Sequence, residues 1–333
     1  MSKQSWKKNL FCHETILLVV LVAEWIFFDA IGRNFGTYDN TCDILRHSCE
    51  IGLLALAMTP IILTGGIDLS VGSLLGLCAI LFGKLWRDGH FPIPAAAACT
   101  IVIGALAGGI NAGLITWLRL PPLIVTLGTF SLFRGLAEAV TRGLDTFTDF
   151  PGSFLFLGQE RWLGIPAQAP VFIVAVVFFW LLVHRTTFGR SFRAIGYAPQ
   201  GTRFAGIPVG RRIGMTYVFA GIVSAIAAII YTARLGQAKA DAGTGYELFA
   251  ITAVVLGGTS IFGGVGSIHG TLLGVAAIAV LQSGIVHALQ PSEMAGMLTG
   301  VLLILALTAS VLPKMISSLR ARKSTPKIAP LNA

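Results

Sequence analysis

The segment 93–117 reads IPAAAACTIVIGALAGGINAGLITW and contains no charged residue. Pro92 precedes it, and the first charged residue after it is Arg119. A transmembrane helix needs about 20 consecutive apolar residues to cross roughly 30 Å of hydrocarbon, and this segment is long enough. It therefore predicts a helix that spans a lipid bilayer.

The composition of the whole chain agrees with this prediction. Of 333 residues, 55% are apolar without counting the 39 glycines, and only 12% are charged. A soluble domain has about 25% charged residues and about 45–50% apolar residues with glycine included. Water cannot solvate this much apolar surface, so the composition excludes a water-soluble globular protein, a disordered chain and a disulfide scaffold.

Apolar segments bounded by Pro, Gly or charged residues recur along the chain. The ten segments lie at 14–31, 48–64, 70–86, 93–117, 123–141, 169–184, 211–232, 248–262, 267–287 and 295–313. They are predicted to be helices, because an open strand edge cannot satisfy its hydrogen bonds in lipid. The third and the eighth are short and rich in glycine, which predicts interrupted helices. The expected fold class is all-α, a polytopic transmembrane bundle of about ten spans.

The distribution of basic residues predicts the orientation. With the N-terminus inside the cell, most of the 24 Lys and Arg residues lie on the cytoplasmic side, in the segment 185–210 and the tail 314–333 among others. Both termini are therefore expected in the cytoplasm. This arrangement explains the net charge of +9 without nucleic acid as a partner. The segment 185–210 is expected to be partly helical between Gly189 and Ala205.

The domain organisation is predicted to be simple. Residues 1–333 form a single transmembrane domain with the membrane bundle at 14–313. The basic N-terminus lacks a small-x-small cleavage site, so we expect a retained first span in place of a removed signal peptide. The connection 142–168 is predicted to lie outside the cell and, like 185–210, is long enough to be functional.

Signatures of catalysis and metal binding are absent from the sequence. It contains no GxxxxGK[ST] phosphate-binding loop, no HExxH and no GxSxG. The 6 histidines show no ligand spacing, and the 5 cysteines include no CxxC. We therefore expect no catalytic residue, no metal site and no cofactor.

Two glycine-rich segments resemble each other. GGIDLSVGSLLGL at 65–77 aligns without gaps with GGVGSIHGTLLGV at 263–275. Internal repeats that interrupt hydrophobic segments at matching places indicate the substrate pathway of a transporter. A chance match between two glycine-rich membrane segments is the alternative interpretation.

Polar residues inside apolar segments are candidates for a substrate pathway. Asp68 is the clearest, because an ionisable residue at membrane depth costs about 2.5–3.5 kcal/mol. Asp68 or Ser70 can also cap the helix that starts there, and both interpretations stay open. Arg134 and Glu138 lie four residues apart on one helix face, where they can pair with each other or contact a solute hydroxyl. The predicted pathway residues are Thr64, Asp68, Ser70, Asn111, Thr126, Thr129, Arg134, Glu138 and Gln282.

Small residues four apart are frequent, and they let helix backbones approach closely. They predict tight packing within the bundle or contact with a second membrane subunit. The pairs are Gly72/Gly76, Gly104/Gly108, Gly109/Gly113, Gly266/Gly270/Gly274 and Gly296/Gly300.

Four motifs, in this order, resemble the permease subunits of ribose-type ABC importers. They are TGGIDLSVGS at 64–73, PPLIVTLGT at 121–129, TTFGRSFRAIGYAPQGTRFAGI at 186–207 and AVVLGGTSIFGGVGSIHGT at 253–271. The resemblance covers about 15–313. LFRGLAEAVTRG at 132–143 and GRSF at 189–192 are most similar to the rhamnose and autoinducer-2 branches.

The resemblance implies a role and a set of partners. The chain would be the permease of an importer in the bacterial inner membrane, moving a monosaccharide or sugar-like molecule. Its partners would be an ATP-binding subunit, a substrate-binding protein and a second permease subunit, identical or related. The segment 185–210 would hold the coupling helix that docks into the ATP-binding subunit. The residues that match this motif are Gly189, Arg190, Arg193, Gly196 and Gly206.

The residues themselves support this interpretation. A lipid-embedded chain without a nucleotide site must take energy from a partner if its transport is active, and polar but mostly uncharged spans suit a neutral polyhydroxyl substrate. An ion-coupled secondary transporter of a small polar solute is the alternative, with Asp68 or Glu138 as its lone acidic group. A passive facilitator ranks third, because paired NPA motifs are missing.

Overall fold

A computed structural model describes residues 3–142, 146–288, 294–306 and 308, with side chains from residue 14 onward. The helices are α1 (Lys3–Ile31), α2 (Tyr38–Leu63), α3 (Val71–Arg87), α4 (Ile93–Thr116), α5 (Pro122–Thr141), α6 (Gly152–Gln159), α7 (Ala169–Trp180), α8 (Thr187–Tyr197), α9 (Pro199–Phe204), α10 (Val209–Leu235), α11 (Tyr246–Leu256), α12 (Ile268–His287) and α13 (Met294–Ala306). A π-helical turn, Leu181–Arg185, extends α7. Two short strands, β1 (Arg161–Trp162) and β2 (Ile165–Pro166), pair antiparallel.

The all-α prediction is confirmed, because each of the ten apolar segments contains a helix within the described residues. Among the described residues, five helices are long and apolar enough to cross a membrane, namely α2, α4, α5, α10 and α12. The pair formed by α7 with its π-helical turn and α8, bent by 65°, can count as one more span. The segments expected to be short are short, since α3 has 17 residues and α11 has 11. The tail 314–333 lies outside the described residues.

Both long connections contain structure. The segment 142–168 holds α6 and the β1–β2 hairpin, and 185–210 holds α8 and α9. The helical content expected between Gly189 and Ala205 is therefore confirmed. Thr186 begins α8 as its N-cap, because its side chain accepts a hydrogen bond from the Phe188 amide.

Helix α2 lies at the centre of the bundle, with α7, α10, α11 and α12 packed around it. Its residues from Leu54 to Met58 are completely buried. A helix that is apolar on all sides is stable when other helices cover every face. The hydrophobic core therefore follows the axis of α2, and α3 and α4 pack on α10 beside it.

Helices α4 and α10 cross in close contact through glycine. A side chain added at Gly104 would overlap the Gly221 carbonyl, and one at Gly108 would overlap the Tyr217 carbonyl. The predicted tight packing at Gly104/Gly108 is confirmed. Gly109 and Gly113 form the other pair in the same helix, and a methyl group added at either would have no described atom within 4 Å.

The two segments that align in sequence share one conformational feature, a glycine turn that precedes a helix. Gly65, between α2 and α3, and Gly263, between α11 and α12, both have φ of 82°, a conformation that favours glycine. The turns touch, because the Gly264 amide donates a hydrogen bond to the Leu63 carbonyl over 2.9 Å. Each segment is therefore a helix–glycine turn–helix unit, and the two units meet at one end of the bundle.

We predict that Gly104→Ala destabilises the protein by about 1–3 kcal/mol, because the new methyl group has no space at the crossing of α4 with α10. The midpoint temperature of the detergent-solubilised protein, followed by size-exclusion chromatography, measures the effect. Gly109→Ala is the matched control in the same helix and should not lower this temperature, because the added methyl group has space. Equal midpoint temperatures for the two variants would contradict the close crossing.

Candidate functional site

A polar cluster surrounds the start of α3. The Asp68 Oδ1 atom accepts hydrogen bonds from the Ser70 amide at 2.8 Å and from the Ser70 hydroxyl at 2.6 Å. Asn111, on α4, donates from Nδ2 to the Ser70 hydroxyl at 2.9 Å. All three residues are at most 2% exposed. The capping group at this end of α3 is therefore Asp68, since Ser70 makes no side-chain cap of its own.

Helices α5 and α10 close the cluster. The Thr126 hydroxyl donates to the Ile67 carbonyl at 3.3 Å. A Cβ atom added at Gly66 would lie 2.6 Å from the Tyr217 hydroxyl, so this hydroxyl borders the turn that precedes α3. Within the described residues, this hydroxyl and the Asn111 Oδ1 atom are buried without a hydrogen-bond partner. The cluster thus contains neutral polar groups with unused hydrogen-bonding capacity.

The remaining predicted pathway residues lie apart from this cluster or bond locally. Thr64 and Thr129 donate to carbonyls of their own helices, at Ile61 and Val125. Gln282, on α12, is half-buried and makes no hydrogen bond to the cluster around Asp68 within the described residues. Helix-internal bonds of this type satisfy a hydroxyl without a ligand.

Arg134 binds the backbone, so the predicted pair with Glu138 does not form. Its Nη1 atom donates to the carbonyls of Ala240 and Ala242, the latter at 3.1 Å. These carbonyls belong to the segment 236–245, which leads from the end of α10 to the short α11. The guanidinium of Arg134 therefore lies between α5 and α3, beside Gly76. The Glu138 side chain is exposed.

Two buried carboxylates were missed by the sequence analysis. Glu50, on α2, forms an ion pair of 2.7 Å with Arg234, and their side chains are 0% and 10% exposed. Glu247, at the start of α11, is 7% exposed and lies against Gly72. Glu50 lies within the apolar segment 48–64, so the cost of an ionisable group at membrane depth, which pointed to Asp68, could have pointed to Glu50 as well.

The residues that match the coupling motif divide into two faces of the segment 185–210. On the inner face, Gly189 packs on the Val183 carbonyl and Gly196 packs between the Leu63 carbonyl and the Gly264 amide. Arg193 donates to the Val183 carbonyl at 3.1 Å and to the Gly266 carbonyl at 3.4 Å.

The outer face of this segment carries the other two matching residues. Arg190 is exposed, and Gly206, with φ of 79°, has nothing within 4 Å of an added side chain. Helix α8 therefore presents Arg190 to its surroundings while its inner face rests on both glycine turns. Within the described residues, no group of three or more His, Cys, Asp or Glu side chains could hold a metal ion.

Comparison with known proteins agrees with this architecture. Residues 40–307 match the family described as "Branched-chain amino acid transport system / permease component". The autoinducer 2 import system permease protein LsrD of Escherichia coli K12 is 39% identical over 304 residues, which cover 87% of this chain and 89% of the relative.

Other relatives are equally similar. LsrD of Shigella flexneri shows the same 39% identity and coverage, and LsrD of Escherichia coli O157:H7 is 38% identical over 304 residues. No solved structure matches the chain. The resemblance inferred from the four motifs is confirmed, and the chain belongs to this family of transport-system permease components.

Proposed function

We propose that the chain is the permease subunit of an ATP-driven importer for autoinducer-2 or a related sugar. The observation that carries this proposal is 39% identity to autoinducer 2 import permeases over 87% of the chain. The family description names branched-chain amino acids. A sugar-like substrate is favoured because the cluster of Ser70, Asn111, Thr126 and Tyr217 offers hydroxyl and amide groups, which hydrogen-bond a polyhydroxyl molecule.

The proposed partners follow from what the chain lacks and what it exposes. The sequence has no nucleotide-binding loop, so ATP would be hydrolysed by a separate ATP-binding subunit. Arg190, on the outer face of α8, is the proposed contact with that subunit, and both chain termini would then be cytoplasmic. A substrate-binding protein would deliver the sugar at the opposite end, and a second permease subunit would complete the pathway.

Uptake assays test the substrate and the energy source together. The chain, reconstituted in vesicles with its ATP-binding subunit and substrate-binding protein, should accumulate labelled autoinducer-2 when ATP is enclosed. Labelled ribose, rhamnose and leucine are the comparison solutes. Accumulation of leucine alone would contradict the sugar assignment. Accumulation that continues without ATP while an ion gradient is maintained would establish the ion-coupled alternative.

We predict that Arg190→Glu weakens the association with the ATP-binding subunit by about tenfold or more, because it reverses the charge on the exposed face of α8. Co-purification of that subunit with the tagged permease measures the association. Lys84→Glu is the matched control, since Lys84 is an exposed residue near the far end of α3. Loss of the complex in the Lys84 variant but not in the Arg190 variant would reverse the proposed orientation.

The role of Asp68 is tested by two substitutions. Asp68→Ala removes the acceptor for the Ser70 amide and hydroxyl and should lower the stability by about 1 kcal/mol. Asp68→Asn keeps an oxygen at the capping position and should fold normally. If Asp68 serves only as a cap, the Asn variant also transports at the wild-type rate. Loss of transport in a folded Asn variant would require a role for the carboxylate itself.

A further inference from the structure

Helices α4 and α10 separate from each other towards one end and leave a cleft. At their crossing, a side chain at Gly104 would overlap the facing backbone. Further along, a side chain at Gly214 would lie 3.5 Å from Ala112, and one at Gly210 would lie 3.7 Å from Thr116. The opening between them is about 490 Å³, and its walls include Thr116, Trp117, Arg211, Met215, Val218 and Phe219.

The mouth of this cleft carries positive charge without a counter-charge. Arg211 is exposed and forms no ion pair with any described residue. The sequence contains no Asp or Glu between Asp88 and Glu138 or between Glu160 and Asp241, and these stretches supply both walls. The neighbouring Arg212 differs, because its guanidinium stacks on the Phe188 ring at 3.8 Å.

The end of α4 adds the second feature of the mouth. Helix α4 ends at Thr116, and the next residue, Trp117, is 86% exposed. Tryptophan is enriched where a transmembrane helix meets the membrane–water interface. The cleft thus combines apolar walls with an exposed arginine and an exposed tryptophan at its mouth.

We propose that this cleft binds one anionic phospholipid, with the phosphate at Arg211 and an acyl chain along Met215 and Phe219. Basic pockets between transmembrane helices attract anionic headgroups, and an apolar wall accepts the chain below them. The assignment to the cytoplasmic leaflet rests on the orientation proposed above. Binding of the lipid itself depends only on the contacts in the cleft.

Quenching of Trp117 fluorescence by brominated lipids tests the proposal. The full chain is reconstituted in vesicles of phosphatidylcholine that contain either dibrominated phosphatidylglycerol or dibrominated phosphatidylcholine. Subtraction of the spectrum of Trp117→Phe isolates the contribution of Trp117 from that of the other tryptophans. The anionic lipid should quench this contribution at about fivefold lower mole fraction, since one basic residue near the surface supplies an attraction of that size.

Two arginine variants locate the interaction. Arg211→Gln should abolish the preference for the anionic lipid, whereas Arg203→Gln, which removes an exposed charge from α9 outside the cleft, should preserve it. Equal quenching by the two lipids in the wild type would overturn the proposal. So would a preference that persists in the Arg211 variant or disappears in the Arg203 variant. The measurement requires neither ATP nor a transported solute, so its failure is distinct from a failure of the proposed function.

Discussion

The hydrogen bond from the Gly264 amide to the Leu63 carbonyl joins the two halves of the bundle. It connects the turn between α11 and α12 to the end of α2, and the hydroxyls of Thr59 and Thr271 meet at 2.8 Å between α2 and α12 nearby. Buried backbone groups that leave a helix must find hydrogen-bond partners elsewhere in the protein. Each turn satisfies part of this requirement for the other, so neither helix–turn–helix unit is complete alone.

Helix α8 depends on the same contact. Gly196 occupies the space beside the Leu63 carbonyl and the Gly264 amide, where no side chain fits, and Arg193 reaches the Gly266 carbonyl. Because packed interiors are dense and transmit strain, a displacement of α8 has to be passed to both turns. The Asp68 cap belongs to one of these turns. Helix α8, the proposed contact with the ATP-binding subunit, therefore packs directly on the turn that carries the polar cluster.

How much the sequence predicts depends on how local each interaction is. Apolar length and glycine content predicted the ten helices and the short α3 and α11, since these depend on neighbouring residues. The partners of Arg134 could not be predicted, because the carbonyls of Ala240 and Ala242 come from a segment more than a hundred residues away. The inward direction of Arg193 also depends on tertiary contacts, which a motif with several arginines does not specify.

Three of the buried polar atoms that have no hydrogen-bond partner within the described residues lie beside α3 or the turn that precedes it. They are the Asn111 Oδ1 atom and the Tyr217 hydroxyl near the start of α3 and the Glu247 Oε2 atom against Gly72. A buried polar group without a hydrogen bond costs about 1–3 kcal/mol. Water or a hydroxyl-bearing solute between these helices would recover that free energy. Groups that are unsatisfied in one arrangement and satisfied in another change the relative free energies of the two arrangements, and a transporter that opens to one side at a time depends on such a difference.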